Sequence, residues 1–515
     1  RTVAAATVRR WCGLRARSAV RGKAASAMAS ADSGGAEPPA AKQARVDVLT
    51  KLASEVAELD TQRPEWLRGI TAPAVIGHLT HPDEGVVPNP HPELGPWEVT
   101  VKVSGPADGP YALEEGYPIR LVFDAKYPCE PPDVRFLSVI HHVLLSHDRV
   151  PSNLLYHPAN LPPARVVPPA EGETDPTLEY SLRGMCEALH RFLSGPLVIP
   201  GDEDDPHTQH QREAISAYFL ENADGNAQRQ QIIANYAPMR KHPRLFDAEQ
   251  GWVEEWFDPR LTEARKGGEE AMRALLTEVC PGVYSFPLFT PEFCTMLIEE
   301  VDNYSASGLP ISRPNSMNNY GLILTEIGLE AQMQRIQQEI YQPVASMLFP
   351  KEGCVFDGLH TFIVQYKEGQ DLGLDMHTDD SDVTFNVCLG KEFTGSGLSI
   401  CGLLGSSVHR KLSHVYQHVK GQCLVHLGRH RHGADDIQSG ERMNLIAWNH
   451  NSIWRSSPGY KQVELPDEDG PPSVECLSYT HDKDFAEHKP IPPGKEQFAK
   501  RAWYPPAAKT VAIGR

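Results

Sequence analysis

Helical and strand-like periodicities alternate along the chain. From Val48 the apolar positions Val48, Leu49, Leu52, Val56 and Leu59 recur at the spacing that places them on one face of a helix. Alternation of apolar and polar residues follows in Trp97-Glu98-Val99-Thr100-Val101-Lys102-Val103, closed by Gly105-Pro106, and a second strand reads Ile119-Arg120-Leu121-Val122-Phe123. Residues 150–178 are Pro-rich and predict irregular chain. Helical spacing returns at Leu182, Met185, Leu189 and Phe192, with more helix near 208–235. Residues 241–270 are charged and read as a link between two halves.

The second half starts near Val283 with a different order of elements. Thr290 can cap a helix that has Pro291 at its first position, Glu292 in its first turn and Phe293, Met296, Leu297 and Val301 as its buried stripe. A longer helix carries Leu329, Met333, Ile336, Ile340, Val344 and Met347, and Pro343 is expected to bend it. Strands then dominate: Leu359–Tyr366, Val383–Leu389, Gly397–Cys401, Gln422–Leu427 and Glu441–Trp448. Helices first and antiparallel strands afterwards predict two packed sheets with helices against one of them.

Composition narrows the class. The chain has 515 residues, room for two or three domains, and no apolar run long enough to cross a membrane as a helix. A net charge of -18 argues against nucleic acid as the main partner. The 10 cysteines are scattered with no Cys-x-x-Cys pair, which predicts a reducing compartment, cytoplasmic or nuclear, with neither a zinc ribbon nor a disulfide scaffold. The first residues carry Arg1, Arg9, Arg10, Arg15, Arg17, Arg21 and Lys23, and no acid precedes Asp32. Two readings stay open: a plastid or mitochondrial transit peptide, or translated sequence upstream of a start at Met28. Residues 24–44 are rich in Ala, Ser, Gly and Pro and are expected to be disordered; the Pro- and charge-rich tail after Asn449 is expected to be an extension or mostly disordered.

The chemistry concentrates in the strand-rich half. His377 and Asp379 stand two apart, His432 follows in a later turn, and Arg442 opens the last strand. An isolated His-x-Asp means little in a chain with 22 histidines. The combination is specific: two imidazoles and a carboxylate form the facial donor set of non-haem Fe(II) sites and leave coordination positions open. A fixed guanidinium can clamp a carboxylate in a bidentate pair. Thr384, Asn386 and Cys388 alternate with Val383, Phe385, Val387 and Leu389, so one face of that strand packs in the core and the other offers small polar groups to a pocket. Tyr366 ends the preceding strand and can reach the same pocket. His430 rivals His432 as the distal ligand, the spacing to Arg442 favouring His432; His426 lies within a strand and reads as structural.

These residues resemble the 2-oxoglutarate/Fe(II) dioxygenases of the prolyl 4-hydroxylase and lysyl hydroxylase group, above all the catalytic domain of procollagen lysyl hydroxylases. The family pattern His-x-Asp-x-Ser-x-x-Thr-x-Asn-x-x-Leu is matched by His377, Asp379, Ser381, Thr384, Asn386 and Leu389, and its glycine-rich turn by Gly395 and Gly397. Its Leu-His-x-Gly-Arg segment corresponds to Val425-His426-Leu427-Gly428-Arg429. Its distal His, followed by Arg ten residues later, corresponds to His432 and Arg442, with Gly433 one position early. The likeness covers roughly 280–450. It implies that His377, Asp379 and His432 bind Fe(II), that Arg442 holds 2-oxoglutarate with Tyr366 and Asn386 in the co-substrate pocket, that ascorbate sustains activity, and that a lysyl or prolyl side chain of a protein substrate is hydroxylated.

The first half carries Tyr127-Pro128-Cys129-Glu130-Pro131-Pro132-Asp133-Val134-Arg135-Phe136, a proline turn that cannot be a central strand. With the amphipathic first helix, Trp97, Gly105-Pro106, Tyr111 and Gly116 in order, residues 45–215 resemble the ubiquitin-conjugating enzyme fold. Where active enzymes carry His-Pro-Asn and then a nucleophilic Cys, this chain has His142-Val143-Leu144 and no Cys until Cys186. The resemblance implies an inactive variant that binds ubiquitin or another ubiquitin-pathway protein. The expected class is α+β: a 1–44 disordered or transit-like segment, a ubiquitin-conjugating-like α/β sandwich with helical extension over 45–240, a linker over 241–275, a double-stranded β-helix (jelly-roll) dioxygenase domain with supporting helices over 276–455, and a tail over 456–515. The alternatives are a ubiquitin-pathway interaction protein with a vestigial oxygenase, or an active ubiquitin-conjugating enzyme.

Overall fold

The structure, a computed structural model, describes residues 39–81, 85–88, 96–137, 140, 142, 151, 153–169, 176–199, 205–247, 254–456, 460, 467–479 and 484. The chain divides into two compact units at residues 231/232.

The first unit opens on helix α1 (Pro39–Thr61). It starts inside the 24–44 stretch expected to be disordered, because Ala40, Ala41 and Ala44 are strong helix formers as well as low-complexity residues; the earlier part of that expectation, and the transit-like residues, lie outside the described residues. Strands β1 (Leu67–Ile70) and β2 (Ala74–Val75) come next, then β3 (His78–His81) paired with β4 (Gly85–Pro88), then β5 (Trp97–Val103), β6 (Tyr117–Phe123) and β7 (Asp133–Phe136). The sheet runs β1-β5-β6-β7, with β2 on β5. The Pro-rich stretch is not wholly irregular: β8 (Arg165–Val167) and β9 (Thr177–Glu179) pair within it. Helix α2 (Leu182–Ser194) is capped by Ser181, whose hydroxyl accepts from the Gly184 N–H, and α3 (Pro206–Tyr236) follows.

The core of this unit is what the alternation predicts. Trp97, Val99, Val101 and Val103 meet Tyr117, Ile119, Leu121 and Phe123 across the sheet, with Val134 and Phe136 after the proline turn. Val48, Leu52, Val56 and Leu59 of α1 and Met185, Leu189 and Phe192 of α2 bury the same sheet face. Cys186 is 0% exposed in that core.

The second unit absorbs the segment expected to be a linker. Within residues 241–247 and 254–275 lie α4 (Pro259–Lys266), α5 (Gly268–Leu275) and short 3-10 turns, and Leu245, Trp256, Phe257 and Leu261 are core residues. Charge misled because these apolar residues stand in ones and twos among Lys, Arg, Asp and Glu. Strands β10 (Thr277–Cys280) and β11 (Val283–Pro287) precede α6 (Pro291–Ala306), whose Thr290 cap accepts from the Phe293 N–H as expected. After β12 (Gly321–Ile323), the long helix is split. Segment α7 (Glu330–Ile336) passes through a π turn at Gln337–Tyr341 into α8 (Gln342–Leu348). Pro343, which lacks an N–H, sits in the first turn of α8, so the bend falls just ahead of it.

The remaining elements are β13 (Gly358–Lys367), β14 (Leu374–His377), β15 (Val383–Gly390), β16 (Phe393–Gly395), β17 (Leu398–Leu403), β18 (Leu412–Tyr416), β19 (Gln422–Leu427), β20 (His430–Ala434), β21 (Ile437–His450) and α9 (Ser452–Ser456). A large sheet runs β10-β11-β19-β15-β21-β13-β12, with β16 on β21; a small one runs β14-β20-β17-β18. One face of the large sheet, with Phe385, Val387, Val425 and Leu445, buries α6, α7 and α8. Its other face, with Phe362, Val364, Leu424 and Ile446, packs on Leu398, Ile400 and Ala434 of the small sheet. Phe385 stacks on Tyr341 with ring centroids 4.2 Å apart. Phe385→Ala is expected to cost the second unit about 3–5 kcal/mol, read from denaturant unfolding; a loss below about 1 kcal/mol would contradict this core.

The cysteine expectation needs correcting: Cys401 on β17 and Cys476 form a disulfide across 75 residues, with Cα atoms 5.9 Å apart. No local spacing could have shown it, because the pair is made by the fold. Residues 467–479 are described within the stretch 456–515 expected to be a tail, and they include this tie. No helix among the described residues is long and apolar enough to cross a membrane.

Candidate metal centre

The small sheet brings the predicted triad together. His377 ends β14 and pairs directly with His432 of β20, which pairs on its other side with Ile400 of β17. Cross-strand partners share a face, so both imidazoles point to one side. Asp379 follows in the loop after β14, where its N–H donates to the Gly428 carbonyl at 2.9 Å. That approach requires glycine: a Cβ on Gly428 would lie 2.0 Å from the Ser381 carbonyl oxygen.

The donor atoms of His377, Asp379 and His432 all lie within 4.8 Å of one another. His377 Nε2 is 3.5 Å and His432 Nε2 3.6 Å from the same Asp379 oxygen, Oδ1. The far nitrogens are engaged: His377 Nδ1 bonds the Asp375 carbonyl at 2.7 Å and His432 Nδ1 the His430 carbonyl at 2.9 Å. A carbonyl can only accept, so each Nδ1 carries the proton and each Nε2 offers its lone pair to the centre. Thr384 donates to Asp379 Oδ2 at 2.6 Å and orients the carboxylate. Burial alone would raise the Asp379 carboxyl, but the neighbouring imidazoles, His432 foremost, hold it well below the ordinary range. Burial pushes His432 down to about 3. The site thus presents one carboxylate oxygen and two imidazole Nε2 atoms at one point, a donor set that suits a divalent cation.

His430 stays outside the cluster and serves through its carbonyl. His426 is likewise outside the cluster. Its ring lies 4.7 Å from that of His432, its Nδ1 bonds the Leu427 carbonyl, and its buried Nε2 has no hydrogen-bond partner. Strand packing rather than chain proximity brings its ring beside His432.

Arg442 lies on β21 opposite Tyr366 of β13. It is 2% exposed, its guanidinium carbon is 4.6 Å from the Tyr366 ring centroid, and its Nη1 donates to the Ser396 carbonyl. Among the described residues no carboxylate lies within ion-pair distance of it, and its Nε has no partner. A buried cation without an anion is costly. Orphaned buried atoms surround it: Ser396 Oγ, Asn444 Oδ1 and His418 Nε2. The Asn444 amide spans Asn386 Oδ1 at 2.6 Å and His418 Nδ1 at 3.4 Å. Ser396 holds its carbonyl on Arg442 from a backbone φ of 55°, rare for a residue with a Cβ. Ser396, His418 and Asn444 escaped sequence reading. Asn444 was visible as a residue on the Arg442 face, whereas His418 lies in a loop with no periodicity. The donor set fits a divalent metal, and the unpaired guanidinium among unsatisfied polar atoms fits a small dicarboxylate.

Both halves of the chain are similar to known proteins. Residues 232–354 match the OGFOD2-like domain family and residues 78–149 the ubiquitin-conjugating enzyme family. The chain is 35% identical over 245 residues to the 2-oxoglutarate and iron-dependent oxygenase domain-containing protein ICU11 of Arabidopsis thaliana, covering 45% of this chain and 60% of that protein. It is 43% identical over 169 residues to the 2-oxoglutarate and iron-dependent oxygenase domain-containing protein 2 of Xenopus tropicalis, covering 32% and 48%. It is 28% identical over 286 residues to the multifunctional procollagen lysine hydroxylase and glycosyltransferase LH3 of Rattus norvegicus, covering 52% and 37%. The chain spans about half the length of the curated relatives it matches. It joins a domain similar to the 2-oxoglutarate/Fe(II)-dependent dioxygenases of the prolyl 4-hydroxylase and lysyl hydroxylase group to an N-terminal domain similar to ubiquitin-conjugating enzymes, with no cysteine between Cys129 and Cys186 to serve as the nucleophile.

Proposed function

We propose that the second unit is an Fe(II)- and 2-oxoglutarate-dependent dioxygenase that hydroxylates a lysyl or prolyl side chain of a protein. The observation that carries this reading is the convergence of His377, Asp379 and His432 donor atoms within 4.8 Å, both imidazoles presenting Nε2. The large and small sheets are read as the two sides of a jelly roll. His377, Asp379 and His432 hold the iron on one side, and Arg442, with Tyr366 and Asn386 beside it, holds the far carboxylate of 2-oxoglutarate. When bound, iron and 2-oxoglutarate supply the oxidising chemistry, with ascorbate keeping the iron reduced. The chain's part is geometry. Thr384 and the Asp375 and His430 carbonyls fix the three donors, and the sheet-to-sheet core excludes water. The test is incubation of the full chain with lysine- and proline-containing peptide libraries, Fe(II) and 2-oxoglutarate. Addition of one oxygen to Lys or Pro, lost without 2-oxoglutarate, is expected; oxygen added only to other residue types would overturn the substrate class.

The domain limits follow the same reading, with a recruitment domain in front of the oxygenase. That first domain is proposed to bind ubiquitin or a ubiquitin-pathway protein without forming a thioester. Cys186 is fully buried, and burial pushes its thiol up to about 12, so it offers no thiolate near neutral pH. His142, where active enzymes place their His-Pro-Asn, is a core residue stacked on Phe192 at 3.9 Å, its Nε2 bonded to the Phe192 carbonyl. Cys129 is exposed but lies in the proline turn, upstream of the family's catalytic position. The full chain incubated with activating enzyme, ATP and ubiquitin is expected to yield no reductant-sensitive adduct. An adduct lost in Cys129→Ser or Cys186→Ser would make the chain a conjugating enzyme as well.

A further inference from the structure

The small sheet has a second face, directly behind the metal ligands. His377, His432 and Ile400 share the inner face, so the adjacent residues Met376, Arg431 and Cys401 turn outward. That outer face is covered by residues 474–479 and Asp484. Met376, Cys401 and Cys476 form a small apolar cluster closed by the disulfide. Arg431, 2% exposed, donates to the Cys476 carbonyl at 2.9 Å and to Asp484 at 3.1 Å. Asp484 is 0% exposed, pairs with Arg410 at 2.7 Å and accepts from the Ser478 N–H at 2.9 Å. Asp375 accepts from the Ser478 hydroxyl at 2.6 Å and from the Tyr479 N–H at 2.9 Å.

The points of attachment are specific. Asp375 is the residue whose carbonyl orients His377. Arg431 lies between His430, whose carbonyl orients His432, and His432 itself. The segment therefore grips both strands at the residues that aim the imidazoles. Ligand geometry in a metal site depends on such outer partners. Breaking the disulfide frees the covalent end of the segment, and what then holds it is a buried carboxylate with two arginines and a few hydrogen bonds.

Resting on the metal-centre reading, we propose that Asp375, Arg431 and Asp484 are positioning residues for the metal ligands, and that the Cys401–Cys476 disulfide is a redox latch on this brace that sets metal affinity. Opening it takes two electrons and two protons from a dithiol, which becomes a cyclic disulfide while Cys401 and Cys476 become two thiols.

The test uses the full chain purified without reductant. Cys401 and Cys476 are expected to resist alkylation until dithiothreitol is added; free labelling of both from the start would overturn the latch. Mn(II) binding is then measured in the oxidised chain and in the chain reduced with dithiothreitol and desalted under argon. The dissociation constant is expected to rise at least tenfold on reduction, and the Co(II) absorption spectrum to change with it. Asp484→Asn with the disulfide intact is expected to weaken Mn(II) in the same direction. A merely structural tie would lower the melting midpoint and leave the Mn(II) affinity and the Co(II) spectrum as they were, which would overturn the proposal. Equal binding in both redox states overturns this inference alone, whereas no Mn(II) binding in either state overturns the metal-centre reading and this inference with it.

Discussion

His432→Ala is expected to abolish 2-oxoglutarate decarboxylation, as are His377→Ala and Asp379→Ala, each to the background of iron in solution. The three donors meet at one point, with Asp379 Oδ1 shared at 3.5 and 3.6 Å by the two Nε2 atoms. Two remaining ligands leave an incomplete site that no longer fixes the metal. His430→Ala provides the contrast. Its ring is outside the cluster and its contribution is a backbone carbonyl, which survives truncation. It is expected to keep most of the activity. Wild-type succinate production by His432→Ala, together with loss in His430→Ala, would move the distal ligand to His430.

Arg442→Ala is expected to raise the 2-oxoglutarate requirement steeply. The guanidinium is buried, and among the described residues no carboxylate lies within ion-pair distance of it, so its ion pair is expected to form with the co-substrate. Removing one member of a buried pair costs about 3–5 kcal/mol, roughly a hundredfold or more in affinity. Arg442→Lys keeps the charge but loses the fork, and is expected to fall between. Oxalate chelates a metal but has no distal carboxylate, so its binding should be the same in wild type and Arg442→Ala. Equal losses for both ligands would mean that Arg442 supports the sheet rather than the co-substrate.

The legible parts of this molecule were those that rest on local periodicity. The strand over Trp97–Val103, the helix from Leu182 and the Thr290 cap all depend on neighbours in sequence, and the structure has them. The triad was legible because its residue types are rare in combination, although the sequence could say nothing of Asp375 or His430 as the carbonyls that aim the imidazoles. Long-range packing was not legible. Trp256, Phe257 and Leu261 sit among charges and looked like linker, yet they meet Phe289 and Phe293 in the core. His418 reaches Asn444 only because the loop before β19 folds over β21. Cys401 and Cys476 meet only through the small sheet. Short strands such as β14 and β20 lack enough residues to show alternation, and they carry His377 and His432.

Coupling of iron to 2-oxoglutarate through His377, Asp379, His432 and Arg442 is read most directly from succinate release by the full chain under heavy-isotope dioxygen, with Fe(II) and 2-oxoglutarate supplied. Succinate carrying one labelled oxygen is expected from wild type and not from Asp379→Ala. Wild-type chain that binds Fe(II) yet releases no labelled succinate, or Asp379→Ala that releases as much as wild type, would contradict it.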